Sequence, residues 1–170
     1  MKFMIHALAF SMAAVLPLAA SSAMAEGDAA TEIRIENGYV RAVPPVSPTS
    51  AAFMQLTNSG ERDHRLVSAE SDISEFVELH THTMGDKGMH EMRKVENIDL
   101  PAGATTELKP GGLHVMFINL EAPLESGSDV DVKLNFEDGS STQLTLPVRK
   151  MDPMHGQGHS KPMGQAGHAE

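Results

Sequence analysis

The chain has 170 residues, enough for one ordinary domain plus appendages. Hydrophobic residues make up 41% and charged residues 21%, a balance typical of globular proteins and too polar for a bundle of membrane helices. The net charge is −10, and no basic run appears anywhere, which argues against nucleic acid as a partner, since a polyanion demands Lys/Arg patches. Cysteine is absent, so disulfides, thiolate metal sites, iron–sulfur clusters and cysteine nucleophiles are excluded.

Residues 1–25 read as a secretory signal peptide: Lys2 gives a positive start, an apolar stretch runs from Ala7 to Ala20, and Ala23-Met24-Ala25 is a small-x-small cleavage site. The apolar stretch is shorter than the roughly 20 residues a membrane span needs, so cleavage is expected to leave no membrane anchor. The mature chain, 26–170, then carries twelve basic and twenty-three acidic residues and works outside the cytoplasm.

Residues 26–30 read as a flexible arm, and β-structure is predicted from 31 onward. Ile33, Ile35 and Val40 mark a strand interrupted by the turn dipeptide Asn37-Gly38. A proline-rich loop follows at 43–50. Further strands are predicted at 51–57, 64–69, 75–84, 89–95, 105–108 and 113–120, with a hairpin of 130–136 and 142–148 around Glu137-Asp138-Gly139. No segment shows a sustained 3.6-residue period. Eight or nine short strands with frequent turn signals predict an all-β, Greek-key sandwich or barrel over residues 26–150. Residues 151–170, rich in Gly, His and Met, cannot build a core and are expected to be disordered. Their Met151, Met154, His155, His159, Met163 and His168 suit metal binding.

Methionine and histidine are the compositional anomaly, at twelve and nine. Outside the leader and the tail, His80, His82, Met84, Met89, His90, Met92, His114 and Met116 cluster in the strands around two turns. His64 and Met54 have no such neighbours and read as structural residues. Side chains two apart on a strand share a face. Val77 and Leu79 therefore face the core while His80, His82 and Met84 face away, and His114 and Met116 do the same opposite Val115 and Phe117. A turn centred on Asp86 would place His80 opposite Met92 and His82 opposite His90, close enough for cross-strand pairs to share an ion. Thioethers are soft ligands that favour Cu(I), and imidazole also suits Cu(II) and Zn. Without carboxylate or Cys partners, Ca and Mg are poor fits and Zn comes second to copper.

The spacing supports a family reading. His80, Thr81, ten residues, Met92, twenty-one residues and His114-Val115-Met116 resemble the signature of the periplasmic copper chaperones of the PCuAC type. The blocks Val77-Glu78-Leu79-His80, Leu100-Pro101-Ala102-Gly103 and Leu108-Lys109-Pro110-Gly111-Gly112 are similar as well, and the likeness spans about 31–150. It implies a cupredoxin-like β-sandwich holding Cu(I) through His80, Met92, His114 and Met116. It also implies delivery of copper to the dinuclear copper centre of cytochrome c oxidase subunit II in a Gram-negative periplasm, alongside a Sco-type protein. Thr81 stands at the signature's optional methionine, and His82 where many relatives carry another. His82, Met84, Met89 and His90 are further candidate ligands, and the tail a candidate for Cu(II). An electron-transfer blue-copper protein is excluded, because that site needs a Cys thiolate. No catalytic constellation points to an enzyme. The competing reading is a copper-buffering or resistance protein, whose site would look the same.

Overall fold

The computed structural model describes residues 27–84 and 90–151. The leader, the connection 85–89 and the tail from 152, with its expected disorder, lie outside these. A one-turn helix, α1 (Ala29–Glu32), precedes ten strands: β1 (Ile33–Arg41), β2 (Thr49–Asn58), β3 (His64–Glu70), β4 (Ser74–Met84), β5 (His90–Lys94), β6 (Ile98–Leu100), β7 (Thr105–Leu108), β8 (His114–Leu120), β9 (Asp129–Phe136) and β10 (Ser141–Arg149).

Two of these elements correct the sequence reading. The strand count is ten rather than eight or nine, because Ile98–Leu100 pairs with β3. Three residues are too few for an alternation to show, yet Ile98 and Leu100 are both fully buried. Part of the expected N-terminal arm is α1, held by tertiary contacts rather than propensity. Asp28 caps it by accepting from the Thr31 N–H at 2.9 Å. Its other free N–H groups are satisfied from the β9–β10 hairpin, Ala29 donating to Asp138 Oδ2 at 2.7 Å and Ala30 to Ser140 Oγ at 3.0 Å.

The strands run in the order β5-β4-β8-β2-β1-β10-β9-β3-β6, with β7 also on β2. All pairs are antiparallel except β1 with β10, which join in parallel at Val40 and Val148. Neighbours distant in sequence, such as β8 with β2 and β9 with β3, are the crossovers of a Greek key. Alternating side chains supply the core: Val130, Val132, Leu134 and Phe136 of β9 meet Val115 and Phe117 of β8 and Met54 and Leu56 of β2. Asn37-Gly38 does not break β1. It forms a bulge, with Asn37 at φ 55 and a register shift between Glu36 and Tyr39. A side chain at Gly38 would run into Leu146.

The middle of β2 is covered on both faces. Ala52 and Met54 face the core, while Ala51 and Phe53, pointing the other way, are only 4% and 5% exposed. On that outer side the ring of Phe53 lies 5.3 Å from Tyr39 and 6.2 Å from His114. The same edge of β2 carries β7 and then β8, end to end. The turn between them, with Gly111 at φ 78, delivers the chain to His114.

Candidate metal centre

Three adjacent strands place the predicted ligands on one outer face. His114 lies directly across from His80, and Met116 across from Glu78. On the other edge of β4, His82 lies across from Met92, Met84 from His90, and His80 from Lys94. The expected pairing of His80 with Met92 and of His82 with His90 is therefore wrong by two residues. The Val95 N–H donates to the Leu79 carbonyl at 2.8 Å, and both residues belong to the core region. This inner apolar pair sets the register. A slip of two keeps every side chain on its expected face, so the clustering survives. The side chains of Met84, Met89 and His90, and the tail candidates Met154, His155, His159, Met163 and His168, fall outside the described residues.

The cluster opens on a cavity of about 310 Å³. His82, Met92, His114 and Met116 line it, with Phe53 and Pro110 as apolar walls and Arg41 and Met151 at its margin. The thioethers reach solvent, Met92 being 46% and Met151 41% exposed, whereas His114 is 2% exposed. The face is thus less open than a bare strand surface: β2, the β7–β8 turn and the residue after Lys150 roof the imidazole. Hollows of about 480 and 440 Å³ exist elsewhere, but one has no thioether or imidazole and the other only His64.

Two of the imidazoles are oriented through one ring nitrogen, leaving the other free. His114 donates its Nδ1–H to the Gly112 carbonyl at 2.9 Å. A carbonyl only accepts, so Nε2 keeps the lone pair. Burial holds the His114 pKa below the ordinary imidazole value, against its hydrogen bond to Gly112 and with help from the nearby His82, His80 and Arg41. His114 is therefore neutral at pH 7, the form that ligates. His80 donates Nε2–H to Glu78 Oε2 at 2.8 Å, and Lys94 Nζ donates to Glu78 Oε1 at 2.7 Å. Those two donors hold Glu78 below the usual carboxylate range. The Nδ1 atoms of His80 and His82 are buried with no hydrogen-bond partner. A lone pair kept dry beside an oriented ring is the arrangement found in metal-ligating histidines. The His80 and His82 rings lie 5.9 Å and 5.2 Å from that of His114. Among the described residues, no three His, Cys, Asp or Glu side chains form a metal site by themselves, and the thioethers of Met92, Met116 and Met151 line the cavity beside the imidazoles. Thioethers beside imidazoles favour a soft, low-valent metal.

The matching family model, LpqE-like, named for lipoproteins, covers residues 33–148. The chain belongs to this LpqE-like, PCuAC-type family. Its cupredoxin-like, nearly all-β fold is the family's. A relative in Leifsonia xyli subsp. xyli, the lipoprotein Lxx21020, is 34% identical over 130 residues, 76% of each chain. Among solved structures, apo-DR1885 from Deinococcus radiodurans is 32% identical with a TM-score of 0.57, covering 85% of this chain and 97% of that one. Its Cu(I) form is 33% identical with a TM-score of 0.57, over 68% and 76%. The copper-bound PCuAC domain of PmoF2, at 22% identity and TM-score 0.60 over 71% and 94%, shares the fold.

His64 is engaged elsewhere. Its ring, 3% exposed, bridges Glu32 of α1 at 2.8 Å and Glu137 of the β9–β10 hairpin at 2.9 Å. Met54 is 2% exposed in the core. The motif did not point to Phe53, Arg41 or the lining role of Met151. Only the end of β1, the pairing of β2 with β8 and the residue after β10 and Lys150 bring them to the site.

Proposed function

We propose that this protein is a periplasmic copper chaperone that carries Cu(I) on the outer face of β4, β5 and β8. The observation that carries the reading is one cavity lined by Met92, His114 and Met116, with β4 imidazoles beside it. Met92, Met116, His114 and His80 form the Cu(I) set. His80 is preferred to His82 because its Nε2–H is anchored on Glu78, as the Nδ1–H of His114 is on Gly112. His82 adds a third imidazole, which lets the same pocket accept Cu(II). The copper-bound relatives of the same fold support copper as the cargo.

Carriage rather than catalysis follows from the access. The exposed thioether of Met92 and then the half-buried one of Met116 can be replaced one at a time by an acceptor's ligands, while buried His114 releases last. We assign the leader, residues 1–25, to export with cleavage, and 26–150 to the copper domain. The tail 151–170 is an auxiliary ligand arm able to take Cu(II), held near the core site at high effective concentration. The acceptor is the dinuclear copper domain of cytochrome c oxidase subunit II, with a Sco-type protein as co-worker. The test is copper loading of the isolated acceptor domain with the Cu(I)-protein as sole metal source. Stoichiometric loading supports delivery, and retention of the metal by the chaperone supports buffering instead.

A further inference from the structure

The cavity holds a charge that the ligand set does not explain. Arg41, at the end of β1, lines it together with His82, Met92, His114 and Met116. Its Nε is buried and has no hydrogen-bond partner, and no ion pair to it is present among the described residues. A guanidinium stays protonated at any physiological pH, so this charge is permanent. Arg41 is half-buried, and holding a cation partly out of water without a carboxylate partner is costly. The carboxylate of the ligand cluster, Glu78, is occupied by His80 and Lys94.

We propose that Arg41 selects the oxidation state of the bound ion, favouring Cu(I) over Cu(II) by charge alone. The inference rests on the copper reading above and adds a residue outside its ligand set. A fixed positive charge repels a metal ion in proportion to the metal's own charge. Cu(II) is therefore penalised twice as much in free energy as Cu(I). For a separation taken as on the order of 10 Å and an effective dielectric near 20, such a charge changes affinity by roughly tenfold per unit of metal charge. Neutralising Arg41 then tightens Cu(I) by about tenfold and Cu(II) by about a hundredfold. The ratio moves about tenfold, and the midpoint potential of the bound copper falls by about 59 mV. With Arg41 in place, the carrier holds the reduced ion that thioethers prefer, even in an oxidising compartment.

The test uses the full mature chain with ¹³C-methyl-labelled methionine. Core occupancy is read at the Met92 and Met116 methyl signals, so copper on the tail is not counted. Cu(I), under anaerobic conditions, and Cu(II) are each titrated against a competing chelator for wild type, R41Q, R41L and R41K. R41Q and R41L are run together, and the result is taken from whichever keeps the wild-type apo methyl spectrum. The expected result is a logarithmic gain for Cu(II) twice that for Cu(I), with R41K close to wild type. Equal gains for the two ions, no gain, or an R41K that behaves like R41Q would overturn the role of Arg41 while leaving the copper site intact. A wild-type chain whose Met92 and Met116 signals respond to neither ion would overturn the copper reading itself.

Discussion

Replacing His64 with Leu tests how the N-terminus is held to the sandwich. The ring is 3% exposed and donates through both nitrogens, to Glu32 at 2.8 Å and to Glu137 at 2.9 Å. Glu137 also accepts from the Arg65 N–H at 2.7 Å, so the ring is locked between α1 and the β9–β10 hairpin. A hydrogen bond to a charged group contributes about 1.5–3 kcal/mol. Glu32 and Glu137 keep 21% and 22% of their side-chain surface in water, which places the pair near the lower end of that range. The expected loss is about 3 kcal/mol, or a Tm about 9 °C lower for a domain of this size. Burial alone would lower the His64 pKa, but its hydrogen bonds to Glu32 and Glu137 outweigh burial and raise it. A raised folded-state value means the imidazolium's contribution is complete below the unfolded pKa of about 6.5 and fades as pH climbs through the folded one. Glu137 is shifted the other way: burial opposes the shift, but hydrogen bonds from the Arg65 N–H and from His64 lower its pKa. Its share is present above about 4.5 and lost as pH falls through the folded value. Urea melts of wild type and H64L should differ most between about pH 4.5 and 6.5 and converge toward pH 9. A gap that does not change with pH, or one under about 1 kcal/mol at pH 6, would refute the clamp.

Separate His80→Ala and His82→Ala variants distinguish the two β4 imidazoles: H80A should weaken Cu(I) more than a hundredfold, whereas H82A should chiefly weaken Cu(II), both read by chelator competition. Truncation after Lys150 removes Met151 from the cavity margin along with the tail ligands; Cu(II) stoichiometry should drop while Cu(I) affinity stays within about tenfold, as mass spectrometry and competition titration would show. Met54→Ala, at a fully buried core position, should cost about 2–5 kcal/mol in a denaturant melt and leave Cu(I) affinity unchanged.

Much of the architecture is legible in the chain because the strands alternate so regularly. Val130, Val132, Leu134 and Phe136 announce β9, and Glu137-Asp138-Gly139 announces its turn. The face assignment of His80, His82, His114 and Met116 also follows from alternation, and it holds even though the β4–β5 register was misplaced by two. That register depends on Leu79 meeting Val95, a contact between inner faces that no turn dipeptide reports. Helix α1 and β6 were hidden for a related reason. Each is too short to carry a periodicity, and each exists because a distant partner, Asp138 for α1 and β3 for β6, satisfies it. Arg41, Phe53 and Met151 escape any spacing rule, since three separate stretches of chain bring them to the cavity. The clamp at His64 was equally silent, because its carboxylates lie 32 and 73 residues away.

The central claim is that thioethers on this sheet face hold Cu(I), and the double replacement Met92→Leu with Met116→Leu tests it most directly. Leucine keeps the apolar volume, so stability should change by less than about 1.5 kcal/mol for each position. Anaerobic competition against a Cu(I) chelator should show the core affinity falling by at least a hundredfold, with the apo protein still melting cooperatively. A double variant that binds Cu(I) as tightly as wild type would contradict the account.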